Sequence, residues 1–468
     1  MNPKNSTHHI VIIGGGPGGY EAALAGRQLG AQVTLIERQG LGGAAVLTDV
    51  VPSKTLIAIA TAAEAVRTAS SLGIQVGGKD ADVSVDLASV NSRLLELAKA
   101  QSKEMLDTLT EAGVRIINGT GKLDGNHAVI AEVEGKAPER LEAKTVILAV
   151  GARPRTLPNA APDGERILTW TQLYNLKQLP EHMIVVGSGV TGAEFASAYL
   201  SLGCKVTLVS SRDYVLPGED LDAAVLIEDV FRRRGMNILK KTRADKVERS
   251  EIGVKVFLQD GRVVEGSHCL MAVGSIPNTE NLGLEEAGVS VAASGHIIAN
   301  RVARTSRANV YAVGDCTDFY PLASVASMQG RTAVFHTMGD VAAPTQKRNI
   351  ASNVFTSPEI ASVGWSENEI KEGLVQGQIE KILLSTNPRA KMQGIKDGFI
   401  KLFARSESGT VIGGVVVAPS ASELIYPIAM AVENRLTVDE LAMTYTVYPS
   451  LTGAIGDAAR ALHNPNLD

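Results

Sequence analysis

Gly14-Gly15-Gly16-Pro17-Gly18-Gly19 and Gly187-Ser188-Gly189-Val190-Thr191-Gly192 are two copies of one spacing, G-x-G-x-x-G. In that spacing Gly14 and Gly187 allow a tight turn, and Gly16 and Gly189 let backbone approach a pyrophosphate. Gly19 and Gly192 let helix and strand pack closely. The helix that opens at each motif turns its unpaired N–H groups and positive dipole end toward the phosphates. A single copy is weak evidence. Two copies imply two bound nucleotides and electron transfer between them.

Twenty-three residues beyond the first glycine, the copies diverge: one reaches Glu37, the other Ser210, followed by Ser211 and Arg212. A carboxylate there accepts hydrogen bonds from ribose hydroxyls and repels a 2′-phosphate, whereas a hydroxyl followed by guanidinium favours that phosphate. The first site therefore reads as FAD and the second as preferring NADPH, with NADH possible. Arg212 is also open to a plainer reading as a solvated loop arginine.

The elements that must position these residues are short β-branched runs. His9–Ile13 and Met183–Val186 lead into the two motifs, and Gln32–Ile36 and Lys205–Val209 lead to Glu37 and Ser210. Thr145–Val150 and Cys269–Val273 are further apolar runs, each ended by Gly-x-x-Pro. They bracket the second motif and read as crossovers into and out of an inserted domain. A long amphipathic helix is expected over Leu87–Leu109, and another from Ser324 to His336. Beyond about residue 346 four strands (Val354-Phe355, 381–384, 398–403 and 411–417) lack glycine turns, and helices run through Ala421–Asn434 and Leu451–Leu462. The expected fold is α/β, with two Rossmann-like dinucleotide-binding domains, the second nested in the first, plus a C-terminal α+β dimerisation domain. The boundaries expected are 1–153 and 277–345 for the FAD-binding domain, 154–276 for the NAD(P)-binding domain and 346–468 for the last.

At 468 residues the chain exceeds a single core, and a net charge of −5 offers no basic field for nucleic acid or an anionic membrane. No uninterrupted apolar run near twenty residues suggests an integral membrane segment, and the first strand begins too early for a signal peptide. A cytoplasmic location is the expectation. His8 and His9 lack further ligand spacing, so no metal is expected. Cys204 and Cys269 lie on or beside apolar strands and read as buried hydrophobes; Cys316 follows Asp315 and has no partner thiol in sequence.

Gly14–Gly19 with Glu37, Pro52-Ser53-Lys54, Gly187–Gly192 with Glu194, and Gly314-Asp315 stand in an order that resembles the flavoprotein disulfide reductase superfamily, which includes dihydrolipoamide dehydrogenase and glutathione reductase. The resemblance spans essentially the whole chain but breaks at two places. Where those enzymes carry a redox cysteine pair, this chain has Ala45 and Val50. Where they carry the histidine and glutamate of an acid/base dyad serving the partner subunit, it has Tyr448 and Gly453. Thiol–disulfide exchange needs a thiolate and a base, so reduction of lipoamide, glutathione or thioredoxin by that route is excluded. Gly42–Leu47, Val51–Thr55 and Val447–Leu451 are similar to a cysteine-lacking branch, the actinobacterial NAD(P)H:quinone reductases.

That resemblance implies FAD, a pyridine nucleotide, a homodimer and a quinone or similar acceptor. It implies Lys54 near the flavin N5, oriented by Glu194, and Tyr448 of the partner as wall or donor for the acceptor. Asp315 would bond the ribityl chain, and the helix opening at Leu322, Ala323 and Ser324 would face the N1/C2 edge. Arg38, Gly43, Ala44, Gly121, Ala149, Gly151 and Gly274 complete the residues it implies at the cofactors. A soluble pyridine nucleotide transhydrogenase and a non-catalytic flavoprotein are the alternative readings.

Overall fold

The computed structural model describes residues 8–75, 83–125 and 127–463. The chain divides into two compact units: 1–55, 91–155 and 274–346 form one, and 56–90, 156–273 and 347–468 the other.

The first unit is built on a parallel five-stranded sheet. Its order is Val310–Ala312, Thr145–Leu148, His9–Ile13, Gln32–Glu37, Arg115–Asn118. Ile10, Val11, Ile12, Val146, Ile147 and Leu148 are wholly buried, as a parallel sheet covered on both faces requires. The fingerprint helix Pro17–Gln28 crosses helix Ala323–Met338 so closely that a Cβ on Gly330 would lie 2.1 Å from the Gly18 carbonyl oxygen. The amphipathic periodicity that predicts a helix from Leu87 is realised as Leu87–Glu111. A three-stranded antiparallel meander, Thr120–Leu123, Ala128–Glu132 and Glu139–Glu142, follows the edge strand.

The second unit repeats the plan. Its parallel sheet runs Asn237–Leu239, Lys205–Val209, His182–Val186, His268–Met271, Ile167–Leu168, and a second meander occupies Ala244–Gly266. The two strand-Gly-x-x-Pro segments pair with each other: Ala152–Pro154 runs antiparallel to Ser275–Pro277, with Ile276 opposite Arg153. This two-strand clasp closes the neck through which the chain leaves for the second sheet and returns.

The C-terminal part carries an antiparallel sheet in the order Ser352–Val354, Glu359–Gly364, Val411–Ala418, Phe399–Arg405, Gly377–Leu383. Helices Tyr426–Asn434 and Gly453–Leu462 bury Ile428, Ala431, Ala458 and Ala459 against Ile400, Leu402 and Val416. The helix expected over 421–434 is two, Ala421–Leu424 and Tyr426–Asn434, because Pro427 at the start of the second has no N–H for a continuous ladder.

Two features invite a misreading from composition alone. The stretch Gly43–Leu72 has the length of a membrane span, and an 18-residue window within it reaches a mean hydropathy of 1.4. It is nevertheless interrupted at Thr48-Asp49, and its charged residues are engaged: Glu64 pairs with Arg234 at 2.8 Å, and Arg67 donates to the Ser201 and Leu202 carbonyls. The second is a triad of carboxylates, Asp220, Asp222 and Glu367, spaced closely enough for a cation. Lys401, only 2% exposed, puts its ammonium on all three, at 2.9 Å from Asp220 and Asp222 and hydrogen-bonded to Glu367. That side chain supplies the positive charge the triad calls for, and Asp220 caps helix Leu221–Arg233.

Candidate active site

The first and third glycines of the first fingerprint are held against backbone. Gly14 takes φ +103°, and a Cβ on it would lie 2.2 Å from the Ala149 carbonyl oxygen; a Cβ on Gly19 would lie 2.0 Å from that of Gly14. Gly16 differs, because a Cβ there meets nothing within 4 Å. The protein leaves open space at this point, where a pyrophosphate could approach, and the helix beginning at Pro17 has no side-chain cap and no acidic residue in its first turn. Glu37, buried at the strand end, accepts the N–H of Gly15, Arg38 and Gln39, each at 2.7 Å. Both oxygens are thereby oriented, and a carboxylate still has lone pairs for ribose hydroxyls. Of Arg38, the backbone is what engages the site; its side chain is exposed.

Gly42 donates to the Gly15 carbonyl at 2.8 Å, and a Cβ on Gly43 would crowd the Gly16 Cα at 3.1 Å. This draws helix Gly43–Leu47, with Ala44 and Ala45, to the fingerprint turn. Lys54 lies on the following helix, Val50–Thr68, half-buried and beside the buried Ser53. Gly151, at φ +66° with open space at its Cβ direction, follows strand Thr145–Leu148. Asp315 follows Val310–Ala312 in a short helical turn, where burial pushes its carboxyl above the ordinary aspartate range. Hydroxyl donors would offset that penalty. The helix opening at Ala323, with Leu322 at its cap position and Ser324 exposed, again has no side-chain cap. Gly121 lies in a meander strand, where a Cβ would press on Ile36 and Ile13, the residues before Glu37 and Gly14, at 3.0 and 3.2 Å.

The second fingerprint reproduces the first. Gly187 takes φ +112°, and a Cβ on it would lie 2.1 Å from the Ala272 carbonyl oxygen; one on Gly192 would lie 1.9 Å from that of Gly187, and one on Gly189 meets nothing. Val190 and Thr191 open an uncapped helix, Val190–Leu202, with Val190 44% exposed. At the strand end the chemistry changes. Ser210 is fully buried, its hydroxyl 2.6 Å from that of Ser188 and accepting the Arg212 N–H at 3.1 Å. Ser210 is therefore committed to the turn, and the groups presented outward are Ser211 and Arg212, both exposed. Ser188 stands where Gly15 stands in the first copy, and setting the motifs side by side would have revealed the paired change. Ala272, the counterpart of Ala149, was discernible in the same way; each donates its N–H to the strand before the motif, at 2.8 Å. Gly274, at φ +93°, has open space around it.

Glu194 is buried in the second helix and accepts the Phe355 N–H at 2.9 Å, a partner from the C-terminal part that spacing does not disclose. Ser197, one turn on, accepts the Ser357 N–H at 3.1 Å. Tyr448 is 81% exposed in the non-helical stretch before Gly453–Leu462. The three cysteines are free and buried, and burial pushes the thiols of Cys204, Cys269 and Cys316 up to about 12, so none is a thiolate near neutrality.

Two glycine cradles, one beside a carboxylate and one beside a serine-arginine loop, define a two-nucleotide oxidoreductase. Residues 8–330 match the family described as pyridine nucleotide-disulphide oxidoreductase, and residues 350–459 match its dimerisation domain. The chain belongs to the pyridine nucleotide-disulphide oxidoreductase family, whose enzymes use FAD and NAD(P)H. It is 50% identical over 97% of its length, and 93% of the relative's, to an NAD(P)H dehydrogenase (quinone) of Mycobacterium tuberculosis strain H37Rv. A dihydrolipoyl dehydrogenase of Geobacillus stearothermophilus is 32% identical over 97% of this chain and 96% of its own. Among solved structures, LpdA from Mycobacterium tuberculosis superposes with a TM-score of 0.94 at 49% identity, covering 98% of this chain and all of the other.

Proposed function

We propose that this chain is an FAD-dependent NAD(P)H:quinone oxidoreductase that works without a redox-active disulfide. The overall change is NADPH, a proton and quinone giving NADP⁺ and hydroquinone. One observation carries the reading: both nucleotide cradles are intact, yet Ala45 and Val50 stand where a thiol relay would have to sit. The 50% identity to a quinone-reducing relative supports it. FAD, when bound, supplies the two-electron chemistry.

The protein's part is geometry and charge. Gly16 and Gly189 leave room for pyrophosphates, and Glu37 and Arg212 choose the riboses. Lys54 would supply a cation to the electron-rich ring with Glu194 as its orienting acid, and Asp315 would hold the ribityl chain. Tyr448, exposed in each protomer, contributes to the partner's acceptor site in a homodimer. The dimerisation domain and the exposed Met443, Tyr445 and Val447 beside it support that assembly. Three unpaired cysteines suit a reducing compartment, which supports a cytoplasmic location.

The test is anaerobic reduction by NADPH and NADH, then reoxidation with quinones, lipoamide or oxidised glutathione. Flavin reoxidised rapidly by quinone and not by either disulfide is expected; turnover of a disulfide substrate would defeat the proposal. Activity should survive iodoacetamide at pH 8, since all three thiols are inaccessible and protonated there. Lys54→Ala should slow flavin reduction roughly tenfold or more while FAD stays bound. An unchanged rapid-mixing rate would remove Lys54 from the chemistry.

A further inference from the structure

In the second parallel sheet Asn237–Leu239 lies beside Lys205–Val209, and the loops leaving the carboxyl ends of these strands run together. Thr242 N–H donates to the Ser210 carbonyl at 3.1 Å, and Lys241 N–H donates to the Arg212 carbonyl at 3.3 Å. Lys240-Lys241-Thr242-Arg243 is therefore laid against Ser210-Ser211-Arg212-Asp213, at the end of the sheet where ligands of open α/β folds bind. Lys240 is already occupied, its ammonium 2.8 Å from the Glu228 carboxylate.

Lys241 is held differently. Its side chain is 73% exposed and pairs at 2.9 Å with Asp213, itself 67% exposed. A solvated pair of this kind gains little and exchanges readily. Lys241 also takes φ +58°, a left-handed conformation that glycine adopts without strain and lysine does not. A lysine kept at such a position points to a use for its side chain.

We propose that Lys241 is a second specificity determinant of this nucleotide site, exchanging Asp213 for the 2′-phosphate of NADPH and flanking it opposite Arg212. The inference rests on the reading of the second cradle as NADPH-preferring. A phosphate carrying close to two charges and three acceptor oxygens is a stronger partner than one exposed carboxylate. Asp213 keeps the ammonium in place until the nucleotide arrives and weakens the attraction for nucleotides lacking the phosphate.

The experiment is calorimetric titration of the holoprotein with 2′,5′-ADP and with 5′-AMP, which needs no turnover. The wild type should favour 2′,5′-ADP. Lys241→Gln should weaken 2′,5′-ADP about tenfold and leave 5′-AMP unchanged, and Asp213→Asn should strengthen 2′,5′-ADP about threefold. Lys241→Gly should lose the same affinity while raising the melting temperature, since it relieves the backbone. If both Lys241 variants bind 2′,5′-ADP as the wild type does while Arg212→Ala does not, the role of Lys241 is overturned and the cradle's reading stands. If the wild type does not distinguish the two nucleotides, the NADPH preference falls and Lys241 falls with it.

Discussion

The two fingerprint turns are nearly the same object, with first glycines at φ +103° and +112° and third glycines whose Cβ would sit 2.0 and 1.9 Å from a carbonyl oxygen. They part at the ends of the neighbouring strands. In the first, three backbone N–H groups converge on Glu37; in the second, the hydroxyls of Ser188 and Ser210 close on each other and the reading passes outward to Ser211 and Arg212. At its first and third glycines the turn is fixed by close approach of main chain, which leaves no room for a Cβ. In the proposed function, nucleotide preference rests on a pair of side chains that can change together.

The sharpest way to break that comparison is to separate glycines that serve the fold from glycines that serve the ligand. Gly19→Ala drives a methyl group into the Gly14 carbonyl and should cost about 3 kcal/mol, read as a fall in melting temperature and loss of flavin. Gly16→Ala meets no protein atom within 4 Å, so the apoprotein should melt unchanged while FAD binds far more weakly. The same contrast should hold for Gly192→Ala and Gly189→Ala with the pyridine nucleotide. Next in size, Glu37→Ala leaves the Gly15, Arg38 and Gln39 N–H groups without their acceptor and should cost about 2–3 kcal/mol, measured as FAD affinity of the deflavo protein.

Smaller effects test the exchangeable part. Ser188→Gly combined with Ser210→Glu transplants the first site's chemistry into the second and should move preference from NADPH toward NADH about tenfold in kcat/KM. Ser210→Glu alone should do worse than the pair, because Ser188 occupies the space and the bond. Arg212→Ala should raise KM for NADPH only a few-fold, an effect that shrinks as salt is added, with kcat unchanged. A drop in kcat instead would make Arg212 more than a ribose-phosphate reader.

The three inner strands of each parallel sheet were legible because β-branched runs and glycine turns report local backbone needs. The long helix from Leu87 was legible from its period. The meanders over 120–142 and 244–266 were not, since short half-exposed strands carry weak alternation. Nor was the partition of the chain, in which 56–90 and 347–468 group with 156–273. At the candidate site Glu37 could be read from spacing, but its three N–H donors could not. Ser210 was placed at the right strand end, yet its burial against Ser188 depends on two segments meeting.

Residue order by itself determined that two dinucleotide fingerprints are present, that one is followed by a carboxylate and the other by Ser210-Ser211-Arg212, and that no cysteine pair stands before Pro52-Ser53-Lys54, because each of these is a property of a few neighbouring residues. Tertiary structure decided which groups remain available: Ser210 turned inward, Arg212 left outward, Lys401 consumed by three carboxylates and Lys241 laid beside Arg212. Hydrogen bonds between distant segments fill some side chains' valences and leave others open, and no local pattern encodes that allocation.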